Sequence, residues 1–158
     1  MTSDTLDGGC ACGAVRYRLT DRPYIVHNCH CRKCQRQTGT GSAVNAFIES
    51  DRFEHLSGEL REDAFETGSG GSQIVVRCKQ CATPLWSFYP RLERKVAAVR
   101  VGTLDDPSAA PPDLAIFVAD KPAWAPLPDG VRAFEQFYDP AEVYSPESLA
   151  RLKALLQQ

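Results

Sequence analysis

The chain has 158 residues, a length that predicts one domain spanning 1–158 with a core large enough to fold without covalent staples. Apolar residues make up 43% and charged residues 24%, which excludes an intrinsically disordered chain. The formal net charge of −2 argues against nucleic-acid or anionic-membrane partners, and no apolar run reaches the roughly 18 residues a membrane-spanning helix needs.

The opening residues carry Asp4 and Asp7 without an apolar stretch, so they do not read as a secretory signal, and a cytoplasmic location is expected. Residues 15–19 alternate apolar and basic side chains, the period of a half-buried strand. A short helix is predicted over Arg32–Thr38, stopped by Gly39. Runs of β-branched and aromatic residues at 43–48, 73–77, 85–89, 95–101 and 114–118 predict further strands, with turn signals between them. The Gly/Ser-rich stretch 68–72 reads as a hairpin loop. A last helix over about 145–157 has Ser145 as N-cap and Pro146 at its first position, with Leu149, Leu152, Leu155 and Leu156 as a core-facing stripe. The expected class is mainly β.

All seven cysteines lie before residue 82, in three clusters: Cys10 and Cys12, then Cys29, Cys31 and Cys34, then Cys78 and Cys81. An odd number without a secretory signal argues against a disulfide framework, whereas thiols this close in sequence can share one Zn²⁺. They divide as four plus three. Cys10, Cys12, Cys78 and Cys81 make a closed Cys₄ tetrahedron, a structural site with no open position, and Arg77 and Lys79 offset part of its charge. Cys29, Cys31 and Cys34 leave a metal one ligand short, the design of a catalytic zinc. Water, a substrate thiolate, His27 or His30 would complete it; on an extended segment His30 points away from Cys29 and Cys31. The alternative is a metal-free redox cluster. Arg32, Lys33 and Arg36 surround the triplet, either neutralising the sulfurs or recognising a ligand carboxylate.

The segments 8–17 (GGCACGAVRY), 29–39 (CHCRKCQRQTG), 77–85 (RCKQCATPL) and 102–107 (GTLDDP) resemble, in order, the glutathione-dependent formaldehyde-activating enzyme family. The resemblance runs over about 8–138. It implies an Mss4-like fold of antiparallel sheets around a Cys₄ zinc, a second zinc on Cys29, Cys31 and Cys34, and S-(hydroxymethyl)glutathione synthase activity, a carbon–sulfur lyase reaction. On this reading Cys31 is the central catalytic ligand, glutathione is the substrate thiol, and Arg32, Lys33 and Arg36 contact it. Ala82 stands where the family often has glycine, a difference that bears on the turn and removes no ligand. The alternative from another class is a non-catalytic, zinc-stabilised glutathione carrier or protein-binding module. A methionine sulfoxide reductase is set aside because no cysteine follows Cys81.

Overall fold

The computed structural model describes residues 4–67 and 70–158. Its strands are β1 (Leu6–Gly9), β2 (Arg16–Leu19), β3 (Ile25–Cys29), β4 (Ala43–Glu49), β5 (Phe53–Ser57), β6 (Leu60–Glu66), β7 (Ser72–Cys78), β8 (Pro84–Phe88), β9 (Val96–Arg100), β10 (Leu114–Ile116) and β11 (Arg132–Ala133). Three helices accompany them: α1 (Arg32–Thr38), α2 (Pro140–Val143) and α3 (Pro146–Leu156). The protein is mainly β, as expected. A three-stranded sheet β1-β2-β5 packs against an eight-stranded sheet ordered β11-β10-β3-β4-β9-β8-β7-β6.

The large sheet is mixed. Most neighbours are antiparallel, but β10 pairs in parallel with both β3 and β11. The chain leaves β9 through a long crossover and returns beside β3 running in the same direction as β9, which a tight hairpin cannot achieve. The predicted loop at 68–72 joins β6 to its antiparallel partner β7, while Gly68 and Ser69 themselves lie outside the described residues.

Alternation along the strands separates two cores. Val26, Ala46, Val99, Trp86 and Val76 stand in register across five strands and face the small sheet, where Val15, Tyr17 and Leu19 are fully buried against them. One residue along, Ile25, Phe47, Ala98, Ser87 and Val75 form the neighbouring row on the opposite face. Around Ile25 and Phe47, that face carries a second core containing Cys29, Cys34, Leu114 and Leu155. The small sheet needs Gly8 on β1, because a Cβ there would meet the Tyr17 ring at 2.4 Å and the Thr103 carbonyl oxygen at 2.6 Å.

Both predicted helices occur. Gly39 caps α1 in the left-handed conformation (φ 71°), its N–H donating to the Gln35 carbonyl. Ser145 caps α3, its side chain accepting from the Ser148 N–H. The leucine stripe is only partly realised: Leu155 is buried, but Leu156 is 55% exposed. The inward face of α3 is half polar instead. Arg151 donates to both carboxylate oxygens of Glu49 on β4 (2.7 and 2.5 Å), and Ser148 Oγ donates to the Tyr24 carbonyl. Burial alone would raise the Glu49 carboxyl, but the hydrogen bonds from Arg151, its own backbone N–H and the charges of Arg151 and Arg52 together hold it below the usual range.

Candidate metal centres

The fold gathers the seven cysteines into two clusters. Cys10 follows β1 directly, and Cys12 lies in the turn before β2. Cys78 ends β7, and Cys81 lies in the turn leading to β8. The four sulfurs all lie within 4.8 Å of one another, with Cys10–Cys12 at 3.5 Å and Cys12–Cys78 at 3.8 Å. Sulfurs at the corners of a tetrahedron around Zn²⁺ stand about 3.8 Å apart, so the four lie close to the spacing a metal needs. The Val15 N–H donates to Cys10 Sγ at 3.2 Å and the Cys81 N–H to Cys78 Sγ at 3.5 Å. The Thr83 hydroxyl and amide hold the Cys81 thiol down at about 5. Such donors favour thiolates, the form that binds metal. Because Cys10 and Cys12 belong to the small sheet and Cys78 and Cys81 to the large one, this cluster joins the two.

Ala82 adopts a left-handed backbone (φ 62°), its N–H donating to the Cys78 carbonyl to close the knuckle. A Cβ is unfavourable in that conformation, and glycine is not. Ala82→Gly is therefore expected to stabilise the protein by about 1 kcal/mol, read as a rise in melting temperature at unchanged metal content. An unchanged or lower melting temperature would show the turn to be unstrained.

The second cluster forms where β3 meets α1. Cys29 is the last residue of β3, Cys31 is the N-cap of α1, and Cys34 lies in its first turn, donating its N–H to Cys31 Sγ at 3.4 Å. The three sulfurs also lie within 4.8 Å of one another. Cys29 and Cys34 are buried and Cys31 is half-buried, so access runs past Cys31. Hydrogen bonds from Cys29 and Cys34 pull the Cys31 thiol down to about 2, and the same bond to Cys31 pushes Cys29 well above the ordinary thiol range. Three sulfurs this close cannot all ionise without a cation among them, so the donor set suits a metal ion.

Among the described residues, no fourth His, Cys, Asp or Glu joins the triplet. His27 is buried, its Nε2 meeting the Tyr138 hydroxyl beside Phe47 and Phe137, and burial lowers its pKa to about 4. His30 is buried with Nδ1 on the Gly41 carbonyl at 3.0 Å. The described residues thus offer this cluster three protein ligands, all thiols.

Arg32, Lys33 and Arg36 are exposed on α1 and line a cleft of about 400 Å³ with Gln37, Phe65, Glu66 and Arg77. Arg32 reaches back to Gln35, while Arg77 lies over the Phe65 ring and pairs with Asp63 at 3.1 Å. Phe65, Glu66 and Arg77 come from β6 and β7 and complete the cleft by sheet pairing, a contribution with no local motif to announce it.

A curated relative from Halomonas elongata, provisionally named a glutathione-dependent formaldehyde-activating enzyme, is 30% identical over 129 residues, covering 77% of this chain and 80% of its own. A crystal structure of a Rhodobacter sphaeroides protein matches 63% of this chain and 87% of its own, with 18% identity and a TM-score of 0.46. The profile of the family described as "Glutathione-dependent formaldehyde-activating enzyme" matches residues 5–120, a span that contains both thiol clusters. The chain belongs to the glutathione-dependent formaldehyde-activating enzyme family.

Proposed function

We propose that this chain is a cytoplasmic, zinc-dependent carbon–sulfur lyase of the S-(hydroxymethyl)glutathione synthase type, joining glutathione to formaldehyde or a related small aldehyde. The observation that carries the reading is the cluster of three thiols, with no fourth protein ligand among the described residues, on the helix that also lines a cationic cleft. Bound zinc would supply one thing: a lowered pKa for a substrate thiol, so that the nucleophile exists at neutral pH. Cys29, Cys31 and Cys34 hold that ion, with Cys31 facing the incoming thiol. Arg32, Lys33 and Arg36 bind the carboxylates of the tripeptide and orient its sulfur toward the cluster. The cleft volume lies within the range of small-molecule sites. The aldehyde is small and reactive, so orientation supplies most of what the addition needs. Cys10, Cys12, Cys78 and Cys81 hold a second, structural zinc, and the reading treats 1–158 as one zinc-binding domain.

Magnetisation-exchange NMR tests it, because it sees the glutathione–formaldehyde equilibrium being accelerated without net turnover. The metal-loaded protein is expected to raise the exchange rate above the uncatalysed one. Arg36 is exposed and makes no ion pair among the described residues, so Arg36→Glu is expected to raise the glutathione KM about tenfold with the melting temperature unchanged. A protein that binds glutathione but leaves the exchange rate untouched is a carrier, and the catalytic reading fails.

A further inference from the structure

Arg100, at the end of β9, is a buried cation with no carboxylate in ion-pair contact among the described residues. It is 6% exposed. Its Nη1 donates to Asn45 Oδ1 at 2.5 Å and its Nη2 to Gln37 Oε1 at 2.8 Å, while its Nε has no partner among the described residues. Both acceptors are neutral amides. Arg151, by contrast, is matched by Glu49. Burying a guanidinium against neutral groups alone is costly, so its retention asks for a negative charge nearby.

The geometry says where that charge is. Gln37 lies one turn beyond Cys34 on α1, on the same side of the helix. Asn45 lies on β4 two residues from Ala43, which is the register partner of Cys29. Arg100 is thus held by two residues that flank the triplet, one on the helix and one on the sheet. Three thiolates around a divalent ion leave one net negative charge, and it is buried on this face of the sheet. The α1 cations are exposed and screened by solvent, so they neutralise it poorly.

We propose that Arg100 is the internal counter-cation of the Cys29, Cys31 and Cys34 metal site, a positioning residue that sets the affinity of this site for its ion. The proposal rests on the reading that the triplet binds zinc. It gives Gln37 and Asn45 the role of aiming the guanidinium without quenching its charge.

Gln37→Glu separates this role from a merely structural one. The substitution is nearly isosteric and sets a rival carboxylate on Arg100. Gln73, which now accepts from Gln37 through Oε1 and whose buried Nε2 has no partner among the described residues, can turn its amide to donate to that carboxylate. A structural Arg100 predicts an equal or higher melting temperature and unchanged metal affinity. A counter-cation predicts a retained fold, a retained Cys₄ metal, and a triplet affinity for Zn²⁺ or Co²⁺ lowered at least about tenfold. Chelator competition on the metal-depleted triplet reads the affinity, with the Co²⁺–thiolate charge-transfer bands as its signature. Arg100→Gln is expected to lower the affinity likewise, and Arg100→Lys to lose less. Wild-type affinity in Gln37→Glu overturns the proposal. If that variant does not fold, equal affinities in Arg100→Lys and Arg100→Gln overturn it. A wild-type chain holding one metal, on the Cys₄ site, overturns the zinc reading of the triplet and the proposal with it; two metals with an unresponsive triplet overturn the proposal alone.

Discussion

Cys81→Ser is expected to cost the protein its fold. The substitution leaves three thiols at the cluster that ties β1 and β2 to the β7–β8 hairpin. Structural zinc binding is worth on the order of 10 kcal/mol or more in small zinc domains, and that binding energy is folding energy. Losing one of four ligands removes several kcal/mol of it, comparable with the whole stability of a domain this size. Cys10→Ser is expected to behave alike, because its sulfur also receives the Val15 N–H. The outcome is insoluble protein, or soluble protein short of metal with a much lower melting temperature. Metal analysis and a thermal melt on one preparation decide it. Wild-type stability with full metal content would overturn the Cys₄ assignment.

Cys31→Ser is expected to do the opposite: keep the fold and lose the chemistry. Cys31 is the half-buried member of its triplet, and no strand pairing depends on it. The two clusters share no residue, so the Cys₄ site stays loaded. About one zinc per chain, a small change in melting temperature and loss of the accelerated exchange are expected. If Cys31→Ser unfolds like Cys81→Ser, the triplet is structural. If it folds and still accelerates exchange, the reacting thiol binds elsewhere.

The contrast shows what the sequence could and could not reveal. Metal chemistry needs its thiols close, and turns bring them close within a few residues, so the triplet and each half of the Cys₄ cluster are visible as local spacing, whereas the meeting of Cys10 and Cys12 with Cys78 and Cys81 spans 66 residues and is made by the fold. Helix ends are local too: Gly39 and Ser145 act within one turn of themselves, and both caps stand where they are predicted. Strands β5 and β6 are different. Phe53–Ser57 and Leu60–Glu66 are mostly exposed, carry no clear apolar alternation, and are strands because β2 and β7 pair with them. Strand β3 is hidden for another reason, since its last residue is also the first of the triplet. Arg100 sits inside the predicted strand 95–101 and looks like an ordinary edge charge there. Its partners are 55 and 63 residues away, so only the folded chain shows it to be buried. The basic cleft is legible by half, because α1 supplies a contiguous motif and the hairpin supplies Phe65 and Arg77 by pairing alone.

The parallel edge formed by β10 and β11 bears on where this chain can be cut. The family profile ends at residue 120, but the polypeptide then doubles back, with the Phe117 N–H donating to Gln136 and the Phe134 N–H to Ala115. Phe134, Tyr138 and Tyr144 close over the face that holds Ile25 and Leu114, and α3 is clamped to β4 through Glu49. An expression clone trimmed at the profile boundary would bare both an unpaired strand edge and an apolar patch, the two features that most often turn a soluble protein into an aggregate. Homology boundaries and folding boundaries differ here, and the last 38 residues belong inside any fragment meant to be studied on its own.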